Sequence, residues 1–194
     1  MDAPHPAAGH AYPDTERRFH GPFFEWFQVD DTVLNVTDAT EGRALYARQP
    51  CVGIEASLEF LTKRVRAHGP YDVLFGYSQG ASMATILAAH YLANERQLPF
   101  RAVVLSNGVR AARGIPPSLV AQDGRMCLDV PSIHLIGTQD IWHQSGLELS
   151  DCYDPTTRQV FEHDGGHILP TWPQHDEIYH AVADRLRTLV DRKN

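Results

Sequence analysis

From Ile54 onward, apolar residues recur at regular intervals. Ile54, Leu58, Leu61 and Val65 form a helical stripe, with Glu59 and Lys63 as an outward i,i+4 pair. Gly69-Pro70 ends that helix. Tyr71 to Gly76 then reads as a short buried strand, and Gln79 to about Asn94 as an apolar helix. Arg101–Ser106 and Pro131–Gly137 read as two more buried strands, and Arg158–Glu162 as a shorter fourth. Ile178, Val182, Leu186 and Leu189 share one face of a closing amphipathic helix. Near-continuous apolar strands separated by helices or long crossovers predict a mostly parallel sheet with helices on both faces. The fold class expected is α/β.

Residues 1–50 follow neither period for long. They are rich in Pro, His and acidic residues and carry an aromatic knot at Phe23, Phe24, Trp26 and Phe27. We expect an irregular arm with one short strand or helix, followed by a core over residues 51–194. Core packing is the ordinary use of such a knot; a substrate-pocket wall is the sharper one. The long connection from Asn107 to Val130 is expected to cover a binding site, since long loops in compact domains often do.

At 194 residues, with 43% hydrophobic and 21% charged residues, the chain suits one globular domain. A formal charge of −7 argues against nonspecific binding to nucleic acid or anionic membrane. Cys51, Cys127 and Cys152 are too few and too scattered for a disulfide framework or a zinc knuckle, so a reducing compartment is expected. No signal segment is expected from the opening residues, and the most apolar stretch, Ala84 to Ala93, is far shorter than the roughly 20 residues of a membrane span. A cytoplasmic protein is the expectation.

The first buried strand runs into Gly76-Tyr77-Ser78-Gln79-Gly80, a G-x-S-x-G sequence followed at once by a helix. Strand, sharp turn and helix are the context in which such a serine stands exposed as a nucleophile. Its hydroxyl needs a base, and the base needs an orienting acid. In open α/β sheets such groups belong beyond the C-terminal ends of later strands. Asp140 follows the strand ending at Gly137, and His167 follows the last strand in His163-Asp164-Gly165-Gly166-His167. The order Ser, Asp, His is that of the α/β-hydrolase arrangement.

Each candidate has rivals. Asp140 would also serve as a helix or turn cap, and Asp151, Asp154 and Asp164 are alternative acids. His134, inside an apolar strand, reads as a core histidine; His143 and His163 are the other candidates for the base. His163 and His167 have metal-pair spacing, but the intervening glycines predict a loop, so no metal or cofactor is expected. The backbone N–H of Gln79 is the oxyanion donor this motif supplies. Tyr77, Trp142, Ile168 and Leu169 flank the three residues and are candidate walls of an apolar acyl pocket.

These residues resemble the FSH serine hydrolases, an α/β-hydrolase branch related to the ovarian-cancer-gene-2 protein. The resemblance is carried by Asp2-Ala3-Pro4-His5-Pro6, by residues 69–81, by residues 132–140, by Ser145 with Leu149, and by His163 through Pro170. It implies a carboxylester or thioester hydrolase with Ser78, Asp140 and His167 as its triad. Some relatives release polyketide chains from carrier proteins, so an acyl ester or thioester is the implied substrate, with a carrier protein or a second subunit as partner. Family members normally begin with a strand, a Leu-His-Gly type loop and a helix, whereas here Asp-Ala-Pro-His-Pro follows Met1. The loop would give a second oxyanion donor and the strand would lie beside the one bearing Ser78. Three expectations stay open: the arm from Phe23 to Val36 fills that edge, a second subunit fills it, or the chain is a shortened form of a longer protein. The alternative is a non-hydrolytic relative that binds or cyclises a small-molecule intermediate or acts as a partner subunit.

Overall fold

The structure, a computed structural model, describes residues 1–7, 16–17, 19–30, 36–95, 97–111 and 113–191. Its centre is a four-stranded parallel sheet. After a two-residue antiparallel ladder between β1 (His5–Pro6) and β2 (Phe24–Glu25) come helices α1 (Ala39–Arg48) and α2 (Ile54–His68). The sheet follows: β3 (Val73–Tyr77), α3 (Gln79–Asn94), β4 (Ala102–Ser106), β5 (Ser132–Gly137), α4 (His143–Ser150), β6 (Arg158–His163) and α5 (Asp176–Asp191). The strands lie side by side in chain order, so their C-terminal ends share one edge of the sheet.

Burial explains the strand sequences. Every residue of β4 and β5 is buried, as the apolar runs require of central strands covered on both faces. On one face, α2 and α3 pack Leu61, Val65, Met83, Ile86 and Leu87 into the larger core. On the other, α5 sets Ile178 against Val104, Ile133 and Leu135, with Val182 and Leu186 alongside. No helix among the described residues is long and apolar enough to cross a membrane.

The arm holds more helix than its composition suggests. Ten residues form α1, and the reason is local: Asp38 Oδ1 accepts the N–H groups of Thr40 and Glu41 at 2.9 and 2.8 Å, an N-cap for a helix too short to show a period. Within the knot, Phe27 is fully buried, Trp26 is half-buried against the core and Phe24 is exposed. The arm does not extend the sheet among the described residues, since β2 pairs with β1 and β3 remains a border strand with Phe75 55% exposed. Residues 31–35 of the expected edge-filling segment lie outside the described residues.

Candidate active site

The turn from β3 into α3 is shaped by contacts that only glycine permits. A Cβ on Gly76 would lie 2.6 Å from the carbonyl oxygen of Gly80 and 2.7 Å from Cα of Ala81, both backbone atoms that cannot step aside. Ser78 sits at the apex with φ +52° and ψ −122°, a conformation that L-residues rarely adopt. Its N–H donates to the Ser106 carbonyl at 2.8 Å, pinning the turn to β4, and its carbonyl receives the Ala81 N–H as the helix starts. Gln79 is the first helical residue, a position whose N–H has no intrahelical acceptor.

Two later strand ends complete the arrangement. Beyond β5, the Asp140 N–H donates to the Gly137 carbonyl in a tight turn, and Asp140 Oδ1 accepts the Trp142 N–H at 2.9 Å. Beyond β6, the chain passes so close to β5 that a Cβ on Gly137 would lie 2.1 Å from the Gly166 carbonyl oxygen. The Gln139 N–H donates to the Gly165 carbonyl across this gap. His167 is thereby brought between the other two residues: Nδ1 is 2.7 Å from Asp140 Oδ2, and Nε2 is 2.8 Å from Ser78 Oγ. Asp140 is 6% and His167 8% exposed, so the pair works largely outside water. A proton on Nδ1 facing the carboxylate would leave the Nε2 lone pair as acceptor for the Ser78 hydroxyl.

The rival residues are engaged elsewhere. Asp151 pairs with Arg158 at 2.7 Å, Asp164 with His175 at 2.8 Å, and Asp154 caps its own turn at Thr156. His134 is buried with its ring against Tyr153 and Nε2 3.0 Å from Ser132 Oγ; burial pushes its pKa down to about 3. His143 meets Glu162 on the surface. His163 is buried and uses Nδ1 to accept the Gly165 N–H, and desolvation lowers its pKa. Among the described residues, no three His, Cys, Asp or Glu side chains are grouped to hold a metal ion.

The candidate pocket residues have different surroundings. Ile168 is half-buried and Leu169 exposed, both next to His167. Tyr77 directs its hydroxyl to the His167 carbonyl at 2.6 Å, with its ring 5.4 Å from the imidazole. Trp142 is buried against Tyr46 and against Gly42 of α1. Trp26, part of the aromatic knot whose sharper reading is a pocket wall, has its indole nitrogen 3.3 Å from where a Gly80 Cβ would be. Asn107, which follows β4, is not among the sequence candidates; its only sequence signal is a polar Asn-Gly directly after an apolar strand. The Asn107–Val130 connection lines a cavity of about 930 Å³ with Arg110, Arg125 and Tyr153, which contains none of Ser78, Asp140 or His167.

Comparison with known proteins identifies the family. The serine hydrolase (FSH1) family profile matches residues 1–178. Esterase C25G4.2 of Caenorhabditis elegans is 31% identical over 145 residues, which cover 73% of this chain and 62% of that protein, so the chain spans less than two thirds of that relative. Esterase OVCA2 of Bos taurus is 27% identical over 188 residues, covering 95% of this chain and 81% of that one. Among solved structures, acyl-protein thioesterase 2 of Zea mays superposes with a TM-score of 0.53 at 16% identity, over 84% of this chain and 73% of the other. A carboxylesterase of Mesorhizobium loti does so with a TM-score of 0.53 at 14% identity, over 94% and 73%. These two show a shared α/β-hydrolase fold. By the extent of the profile match, the chain belongs to the FSH1 serine hydrolase family.

Proposed function

We propose that this chain hydrolyses carboxylic esters or acyl thioesters through an acyl-enzyme on Ser78, with His167 as general base and acid and Asp140 as its orienting partner. The observation that supports this most directly is the unbroken hydrogen-bonded line from Ser78 Oγ through both nitrogens of His167 to Asp140 Oδ2. Ser78 Oγ attacks the acyl carbon while its proton passes to His167 Nε2. Asp140 stabilises the imidazolium without taking its proton. The oxyanion is received by the Gln79 N–H at the start of α3, where the helix dipole also favours negative charge. The tetrahedral adduct collapses as His167 protonates the departing alcohol or thiol. Water, deprotonated by His167, then attacks the acyl-enzyme, and His167 returns that proton to Ser78 Oγ as the acyl–oxygen bond breaks and the acid leaves.

Support for an acyl substrate comes from the apolar residues around the serine. Ile168 and Leu169 directly follow His167, and the Trp26 indole lies beside Gly80 in the first turn of α3; these are the apolar contacts proposed for an acyl chain. Tyr77 and Trp142 contribute by fixing their neighbours: Tyr77 holds the His167 carbonyl, and the Trp142 N–H holds Asp140. An acyl chain delivered by a carrier protein is one thioester of this class.

The test is intact mass after incubation with a fluorophosphonate, for the wild type and Ser78→Ala, both checked for folding. One adduct on the wild type and none on the variant is expected. A folded wild type that stays unlabelled overturns the reading and favours ligand binding without turnover; a variant that labels equally overturns Ser78 as the nucleophile.

A further inference from the structure

Asn107 lies at the centre of the site, and the reaction just described does not use it. It follows the last residue of β4, is 1% exposed, and holds φ at +45°. Its main chain continues the ladder, with the N–H donating to the Leu135 carbonyl at 2.9 Å. Its side chain points in two directions. Oδ1 accepts the Gly137 N–H at 2.9 Å, at the end of β5, and Nδ2 donates to the Ile168 carbonyl at 2.6 Å, on the loop after β6.

We propose that Asn107 is a positioning residue, which sets the height of His167 over the sheet by tying the His167 loop to the ends of β4 and β5. This rests on the triad reading above. The main chain that carries His167 is held at two successive carbonyls: its own by the Tyr77 hydroxyl from β3, and the next by Asn107 from β4. The preceding part of the loop is tied by Gly165, whose N–H donates to His163 Nδ1 and whose carbonyl accepts the Gln139 N–H, and by the Ile168 N–H to the Gly166 carbonyl.

The residue type follows from the place. A left-handed backbone admits Asn far more readily than most side chains. Glycine would fit that backbone but bridge nothing. Aspartate would fit it and accept from Gly137, yet when ionised it would set an acceptor against the Ile168 carbonyl.

Asn107→Gly relieves the backbone and deletes the bridge, together with the long 3.4 Å contact of Nδ2 to Ser106 Oγ, which makes it the decisive variant. A base displaced by about 1 Å costs about 10²-fold in rate. We therefore expect labelling of Ser78 by fluorophosphonate to slow by about that factor in a variant that still folds. Its melting temperature is lowered by the unpaired Gly137 N–H and Ile168 carbonyl and partly restored by the relieved backbone. The low-field NMR resonance of the His167 Nδ1 proton, identified by its loss in Asp140→Asn, should broaden or shift; a purely structural role would leave it in place. Should Asn107→Gly fail to fold, Asn107→Asp decides at neutral pH, with the same slowing expected. Ser78-dependent labelling at the wild-type rate, or an unmoved resonance, overturns the positioning role alone. Labelling that persists in Ser78→Ala overturns the triad reading instead.

Discussion

Gln79 grips the main chain at Trp26. Its Oε1 accepts the Trp26 N–H at 2.6 Å while its Nε2 donates to the Phe27 carbonyl at 2.7 Å, and the Ser57 hydroxyl of α2 takes the intervening Trp26 carbonyl. One residue thus has two separate tasks. Its backbone N–H, at the first position of α3, is the proposed oxyanion donor, and its side chain fastens the aromatic segment of the arm against the elbow.

The two tasks separate on mutation. Gln79→Ala keeps the backbone donor but leaves a partly buried N–H and a carbonyl without partners, a loss of about 2 kcal/mol. A lower urea midpoint with Ser78 still able to label is expected. An unchanged midpoint would mean that water replaces the amide at no cost.

Ser78 carries backbone strain that its chemistry does not relieve. At φ +52°, Ser78→Ala retains the strain and Ser78→Gly removes it. Both variants should lose labelling, and the glycine variant should be the more stable of the two by about 1 kcal/mol. Thermal unfolding of the pair checks this, and an alanine variant equal to or above the glycine variant would contradict it.

Asp140→Asn should keep the fold and lose turnover. The amide oxygen can still accept the Trp142 N–H, which leaves the NH₂ group facing His167 Nδ1. That nitrogen must then act as acceptor, the proton moves to Nε2, and Ser78 loses its base. A fall of about 10⁴ in kcat on a chromogenic acyl ester is expected, and a fall of only a few-fold would show that Asp140 does not select the tautomer.

Stability should decline on the acid side of neutrality. The pKa of His134 is lowered by burial from its ordinary 6.5 to about 3. The unfolded chain therefore takes up a proton below 6.5 that the folded chain refuses down to about 3. His163 shifts in the same direction for the same cause. The favourable contribution is thus full above 6.5 and drains as pH falls through that window, at no more than about 1.4 kcal/mol per pH unit for each group. Urea unfolding at pH 7 and pH 5 should show the loss, and His134→Gln should flatten it. Equal slopes in the two proteins would remove His134 as the source.

Legibility in the sequence followed the range of the forces involved. The strands at 102–106 and 132–137 were readable because a strand covered on both faces must be apolar throughout, whatever lies around it. Helix α3 began where its glycine-bracketed turn indicated. Helix α1 was not readable, because its stability comes from one capping aspartate and from Gly42 lying under Trp142, not from a repeating stripe. Among the pocket candidates, Tyr77 and Trp142 were named for apolar bulk, yet they make polar contacts, through a hydroxyl and a backbone N–H, that no composition reveals.

By itself, then, the sequence determined the α/β alternation and the serine at a strand-to-helix turn, because burial period and glycine placement act within a few residues. It also determined the order in which Ser78, Asp140 and His167 meet the chain. Only the tertiary structure decided that Asp140 and His167 lie within hydrogen-bond reach of each other while Asp164 turns to His175. Only it showed Gln79 reaching Trp26, and Asn107 joining Gly137 to Ile168. The physical reason is that parallel strands laid in chain order bring their C-terminal ends to one edge. Hydrogen bonds between side chains far apart in sequence form there only after packing has set their separation.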